Sequence, residues 1–208
     1  MVLYTPGRTS SYPDEPVESG IRIHFLGGGN EVGNVGVVLE DQTATRLLID
    51  YGLAPTSPPR YPSEAPPVGD AIFTHTHIDH IGMAPWLVGN HDTNLHGTPL
   101  TAALSVLMWK DTYKISSIEG YPLPWDRRDE DSAKDAWQTH PYGEWVQHEN
   151  WKWQLHSAGH IPGAAMIEIE TPTHRILHSG DIDTRDSPNT HGAKPVECDI
   201  LLLESTYA

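Results

Sequence analysis

The sequence predicts a layered domain of the α+β or α/β kind, with sheets inside and helices outside. Three observations carry this. Residues 21–52 hold three short aliphatic runs, "IRIHFL", "NVGVVLED" and "TRLLIDYG", joined by links too short for a crossover helix. The middle of the chain has helical spacing, and the last third returns to strand-like alternation. Strands, then helices, then strands again bury their apolar faces as stacked layers.

Taken in order, residues 1–20 are rich in Pro, Ser and Gly without periodicity and read as a flexible or draped leader, with one domain over residues 21–208. The first three runs suit an antiparallel meander. The cluster "GGGNEVG" (Gly27 to Gly33) lacks the GxGxxG register and precedes a strand, so it reads as a tight strand connection, not a dinucleotide site. A Pro-rich loop over residues 55–69 leads to the strand-like "DAIFT". "IGMAPWLVG" and "PLTAALSVLMWKDTYKI" follow as helices, and a shared face of Leu100, Leu104, Leu107 and Met108 is expected to pack into the core. Residues 126–139, "DRRDEDSAKDAWQT", read as a charged surface helix whose acidic start suits the helix dipole. "WKWQLHSA", "AAMIEIET", "HRILHSGD" and "CDILLLEST" read as strands, with Trp151, Trp153 and Leu155 on one buried face.

Composition narrows the function classes. The 208 residues suffice for one sizeable core. No run reaches the roughly 18 apolar residues of a membrane span, and the amino terminus lacks a signal-peptide centre, so a soluble cytoplasmic protein is expected. A single cysteine, Cys198, forms no intrachain disulfide and no thiolate zinc motif, which leaves nitrogen and oxygen donors for any metal. The 28 acidic residues against 13 basic ones give a net charge of −15, a poor footprint for general nucleic-acid binding. Two accounts stand: a halophilic surface screened in a salt-rich cytoplasm, or an ordinary acidic enzyme whose metal ions steer an anionic substrate.

The chemistry concentrates in "FTHTHIDHIG", which sets His75, His77, Asp79 and His80 within six positions after a strand. In extended backbone His75 and His77 point the same way. A helix starting near Asp79 would aim Asp79 and His80 into the same cavity from another side. One segment can then serve two metal positions, which together activate a water and neutralise the oxygens of a phosphorus centre. Further ligands are expected at strand ends, and His160 in "SAGHIPG" and Asp181 in "HSGDID" both stand beside glycine there. Asp50 in "LLIDYG" is placed to orient a ligating histidine. His24, His91, His96, His140, His148, His156, His174, His178 and His191 are read as unliganded.

This ordered series, Asp50, then His75-Thr76-His77-Ile78-Asp79-His80, then His160, then Asp181, resembles the metallo-β-lactamase superfamily over residues 21 to about 185. "GGGNEVGNVGVVLE", "SAGHIPGAAMIEIE" and above all "LLLESTYA" resemble its β-CASP branch, and within it archaeal relatives of the cleavage and polyadenylation specificity factor endonuclease. The resemblance implies an αββα sandwich of which this chain holds the first part, without the β-CASP insert and the final strands. Whether that makes it a fragment or a natural truncation stays open. It also implies a phosphodiesterase acting on RNA, with two zinc ions, iron or manganese also suiting such donors. His75, His77 and His160 would hold one ion and Asp79, His80 and a bridging Asp181 the other, one ligand being absent. Glu204, opening "ESTY", would be an acid beside the metals that organises a proton-donating histidine. RNA is the implied partner, and a homo-oligomer is compatible with the sequence. The rival readings are a thioesterase resembling glyoxalase II and an inactive scaffold of the kind that pairs with active nucleases.

Overall fold

The computed structural model describes residues 12–205. The three leading runs form β1 (Ile21–Gly27), β2 (Gly36–Asp41) and β3 (Arg46–Tyr51), paired antiparallel as their short links require. β4 (Asp70–Ile72), β5 (Asn94–Gly97) and β6 (Trp137–Thr139) add in parallel, giving a six-stranded sheet in sequence order. Between these strands run α1 (Ile78–Ile81), α2 (Ala84–His91), α3 (Pro99–Glu119) and α4 (Arg127–Asp135). A second sheet takes β7 (Val146–His148), β8 (Trp151–Ser157), β9 (Ala165–Glu170), β10 (Arg175–His178) and β11 (Ile200–Leu202) in the order β11-β10-β9-β8-β7.

The two sheets face each other through Val37, Leu39, Leu47, Ile49 and Ile72 on one side and Trp151, Trp153, Leu155, Ile167 and Ile169 on the other. The intervening residues Val38, Leu48, Ala71 and Phe73 point the opposite way, into a second core with Ile81, Leu87 and Trp109 of the helices. Because β2 and β3 are buried on both faces, their sequences are continuous aliphatic runs instead of alternating ones. The described layers are therefore helix, sheet, sheet. Among the described residues no helix covers the outer face of the second sheet; irregular chain around Ile182, Ala193 and Val196 packs there against Ala164, Met166 and Leu177. The expected α+β arrangement, incomplete in its fourth layer, is what the chain adopts.

Two local expectations are corrected. The leucine face of α3 does not enter the core: Leu100 and Leu107 are 40% and 62% exposed, and the buried side carries Thr101, Ser105, Trp109 and Ser116. Trp109 sets this phase, since it is fully buried and its Nε1 donates to the carbonyl of Ile81 at 3.0 Å. Small residues beside it let the helix lie close to the sheet. The charged helix ends at Asp135, not at residue 139, because Trp137–Thr139 pairs with β5 instead. Its capping box, Asp126 with Asp129, does form. Three strands that the sequence did not indicate, β5, β6 and β7, lie in polar segments without an apolar run.

Trp109 and Trp125 together hold α1, the shortest helix: Trp125 Nε1 donates to the carbonyl of Gly82 at 2.9 Å. Trp109→Ala should cost about 3–5 kcal/mol, through a cavity and an orphaned carbonyl at the end of α1. Urea unfolding of the variant gives that number directly.

At the far end of the sandwich a polar cluster joins the sheets. His148 on β7 donates from Nε2 to the carbonyl of Arg46 at 2.8 Å and from Nδ1 to Asp70 Oδ2 at 2.9 Å. Both partners can only accept, so the ring is an imidazolium, and Asp70 also meets His96 Nε2 at 2.9 Å. Burial lowers the His148 pKa, but the bonds to Asp70 and Arg46 outweigh it and the net shift is upward from 6.5. Asp70 is driven well below the usual carboxylate range by the same two histidines. A raised histidine pKa stabilises the fold fully below pH 6.5 and loses that contribution as pH rises through the folded value. The melting temperature of the wild type should therefore exceed that of His148→Gln most at pH 6, with the gap narrowing towards pH 9.

Candidate metal centre

The site forms where β3 and β4 end and α1 begins. His77 is the extended residue that starts α1, and Asp79 and His80 lie in its single turn. The close approach needs Gly52: a Cβ there would overlap the backbone of Asp79 and His80. Two further loops arrive from the second sheet. His160 follows β8 and Asp181 follows β10, and they are fastened by a bridge between Gly159 and Ile182 and by the Asp183 amide donating to the Ala158 carbonyl at 2.9 Å.

Four donors converge. His75 Nε2 is 3.0 Å from His77 Nδ1, His77 Nδ1 is 3.2 Å from His160 Nε2, and Asp181 Oδ2 lies 3.6 Å from His160 Nε2 and 3.8 Å from His75 Nε2. All four atoms lie within 4.8 Å of one another. Zinc bonds of about 2.0–2.1 Å at tetrahedral angles would set ligand atoms about 3.3 Å apart, so the spacing fits one ion. The other oxygen, Asp181 Oδ1, is 3.4 Å from His80 Nε2, which is 3.9 Å from Asp79 Oδ2. Asp181 thus turns one oxygen towards His75 and His160 and the other towards His80.

Asp50 fixes the ring orientations. It is fully buried, in left-handed backbone (φ 53°), and its two oxygens accept from the Thr74 amide and from the Thr74 hydroxyl, each at 2.8 Å. Asp50 Oδ2 also takes His80 Nδ1 at 2.8 Å. The Thr74 hydroxyl, having donated to Asp50, has lone pairs left for His75 Nδ1–H at 3.0 Å. One carboxylate therefore holds a proton on Nδ1 of both His80 and His75 and turns both Nε2 atoms towards the cluster.

The electrostatics ask for a cation. Burial pushes the His75 pKa far down, helped by the neighbouring histidines, leaving the neutral ring a metal requires. Burial and His160 lower His77 as well. Burial also disfavours charge on His80, yet Asp50, Asp181 and Asp79 overcome it and push this pKa up to about 10. Burial raises the Asp181 pKa, but the His80 hydrogen bond and the positive field of His80 and His160 bring it net below 3.8. Carboxylates that hold this buried imidazole charged would equally favour a divalent ion in place of its Nε2 proton.

Every residue predicted to ligate is thus brought together, and Asp50 sits against His80. Glu204 lines the same cleft, of about 560 Å³, with Asp79, His80, Asp181 and the glycine loop. Its backbone amide donates to Ser179 Oγ at 3.0 Å, and its Oε1 accepts from the Ile182 amide at 3.3 Å. Residues 206–208, the rest of the "ESTYA" signature, lie outside the described residues, as do residues 1–11 of the leader. The sequence reading missed Thr74, although it stands inside the quoted motif as a polar residue between an aromatic strand end and a histidine. His178, read as unliganded, lines the same cleft, and its Nδ1 accepts from the Gly180 amide at 3.0 Å and shapes the turn before Asp181.

Two sheets with helices on one face, and histidines and aspartates gathered at the strand ends, define a class. The chain belongs to the metallo-beta-lactamase superfamily, whose family model matches residues 28–192. Among curated proteins it is similar to "RNase aCSPSF2" of Saccharolobus solfataricus, 31% identical over 89% of this chain and 38% of the relative. It is 30% identical to "Cleavage and polyadenylation specificity factor subunit 3" of Dictyostelium discoideum over 90% of this chain and 26% of the relative. To "RNase J-like protein" of Methanocaldococcus jannaschii the identity is 31%, over 90% of this chain and 43% of that protein. The chain spans less than half the length of these relatives. No helix among the described residues is long and apolar enough to cross a membrane.

Proposed function

We propose that the chain is the metal-ligating part of a ribonuclease, a phosphodiesterase that uses two divalent cations, zinc above all, to cleave RNA. The observation that carries the reading is the convergence of His75 Nε2, His77 Nδ1, His160 Nε2 and Asp181 Oδ2 on one point, with Asp181 Oδ1 turned to His80. The substrate class is supported by the relatives, two of which are named as RNases or RNase-like.

In this reading His75, His77, His160 and Asp181 hold one ion, and Asp79, His80 and Asp181 hold the second. When bound, the two ions supply an activated water at neutral pH and neutralise charge growing on the phosphorus oxygens. The chain's own groups do the rest. Asp50 and Thr74 keep Nδ1 of His75 and His80 protonated, so that the opposite nitrogens stay available. The open cleft beside Asp79 and Asp181, lined also by Gly27–Gly33, is the proposed place of the substrate phosphate. Glu204 at its edge is the proposed acid that positions a proton donor for the leaving oxygen.

Alanine at Asp79 should abolish cleavage of single-stranded RNA in the full-length protein, measured with a labelled oligonucleotide; retained full activity would sink the assignment. Among the described residues the second position has three donors and the first has four. The 208-residue chain alone should accordingly bind its second metal weakly and turn over little RNA. Metal counting by mass spectrometry after dialysis checks this, and two tightly held zincs with robust turnover would refute it.

A further inference from the structure

The stripe of α3 that fails to enter the core has a pattern of its own. Leu100, Leu104, Leu107, Asp111, Lys114 and Ile118 recur at alternating steps of four and three, the heptad spacing of a helix seam. At 3.6 residues per turn this seam lies opposite Trp109, the residue that anchors the helix. Leu107 and Ile118 are 62% and 70% exposed, and Asp111 and Lys114 are exposed between them. Ile115 and Met108 flank the seam, Ile115 being 43% exposed.

We propose that this seam is a self-association surface, on which α3 of a second copy of the chain docks antiparallel about a twofold axis. Charge complementarity selects that partner and register. In an antiparallel seam, residues of the two heptad positions meet across the axis. An axis between residues 112 and 113 sets Asp111 of each copy against Lys114 of the other, and in the same register Leu107 of each against Ile118 of the other. A parallel pair would instead stack Asp111 on Asp111 and Lys114 on Lys114. The rest of the helix agrees: Lys110, Asp111, Lys114 and Glu119 make α3 neutral within a chain of net charge −15, so this face meets its copy without the repulsion of the remaining surface. A single helix pair is at the small end of specific interfaces, so the dimer is weak and concentration-dependent. The surface does not involve the metal ligands, and this inference stands or falls apart from the proposed reaction.

Sedimentation of the whole chain over a concentration series tests it, with Leu107→Glu, Asp111→Lys, and the double swap Asp111→Lys with Lys114→Asp. The expected result is a reversible dimer weakened at least about tenfold by either single change, because like charges then face each other or a charge enters an apolar layer. The double swap should restore it. A chain that stays monomeric overturns the proposal. So does a dimer indifferent to Leu107→Glu, which would place the contact on another face such as the exposed Leu201 and Leu203 edge of β11, and so does a double swap that fails to recover association. All the substituted side chains lie towards solvent, and should Asp111→Lys nonetheless disturb folding, Leu107→Glu carries the same decision.

Discussion

Asp181→Ala is expected to empty both metal positions and to remove RNA cleavage by the full-length protein. Its two carboxylate oxygens face different donor groups, Oδ2 towards His75 and His160 and Oδ1 towards His80, so no single neighbour can replace it. In the proposed reaction the ions would contribute several kcal/mol to stabilising charge at phosphorus, which at about 1.4 kcal/mol per factor of ten means a loss on the order of a thousandfold or more. The side chain is partly open to solvent and lies in a loop, so the fold should survive. An unchanged circular dichroism melt with lost metal and lost cleavage is the expected combination. Two metals retained at wild-type affinity would show that Asp181 is not shared between the positions.

Asp50→Ala is expected to act in the opposite proportion, harming stability as well as metal binding. Its removal leaves the Thr74 amide, the Thr74 hydroxyl and the buried His80 ring without their acceptor. Removing one partner of a buried ion pair costs about 3–5 kcal/mol, a large part of a typical domain's stability. Asp50→Asn separates the two roles. It preserves size and one acceptor oxygen but cannot hold a proton on both His80 and Thr74, so the loss in metal affinity should be larger than the loss in stability. Equal losses from both substitutions, or none from either, would show that Asp50 does not orient His80.

The family and the histidines and aspartates that the structure gathers were legible because they are local or ordered. His75, His77, Asp79 and His80 lie within one strand end and one helical turn, where backbone geometry alone decides which side chains point together. His160 and Asp181 were readable because glycine turns after strands mark the end of a sheet where loops gather. β1 to β4 and β8 to β11 were readable because each lies in an apolar run, which β5, β6 and β7 lack. What was misread concerned partners that sequence does not display. The apolar residues of α3 were assigned to the core by hydrophobicity, yet the choice of face belonged to Trp109, whose indole finds the Ile81 carbonyl. β5, β6 and β7 exist only because neighbours accept their hydrogen bonds.

By itself, then, the sequence determined which histidines and aspartates are candidate donors, their order along the chain, the aliphatic strands and the net charge of −15. These are properties of residue type and spacing, and they survive without knowledge of any contact. Only the tertiary structure decided that one Asp181 oxygen faces His75 and His160 while the other faces His80, that Thr74 links Asp50 to His75, and that α3 turns Leu100 and Leu107 outward. Each of those depends on atoms from segments far apart in sequence coming within bonding distance, and distance across a fold is fixed by packing of the whole core, not by any local pattern.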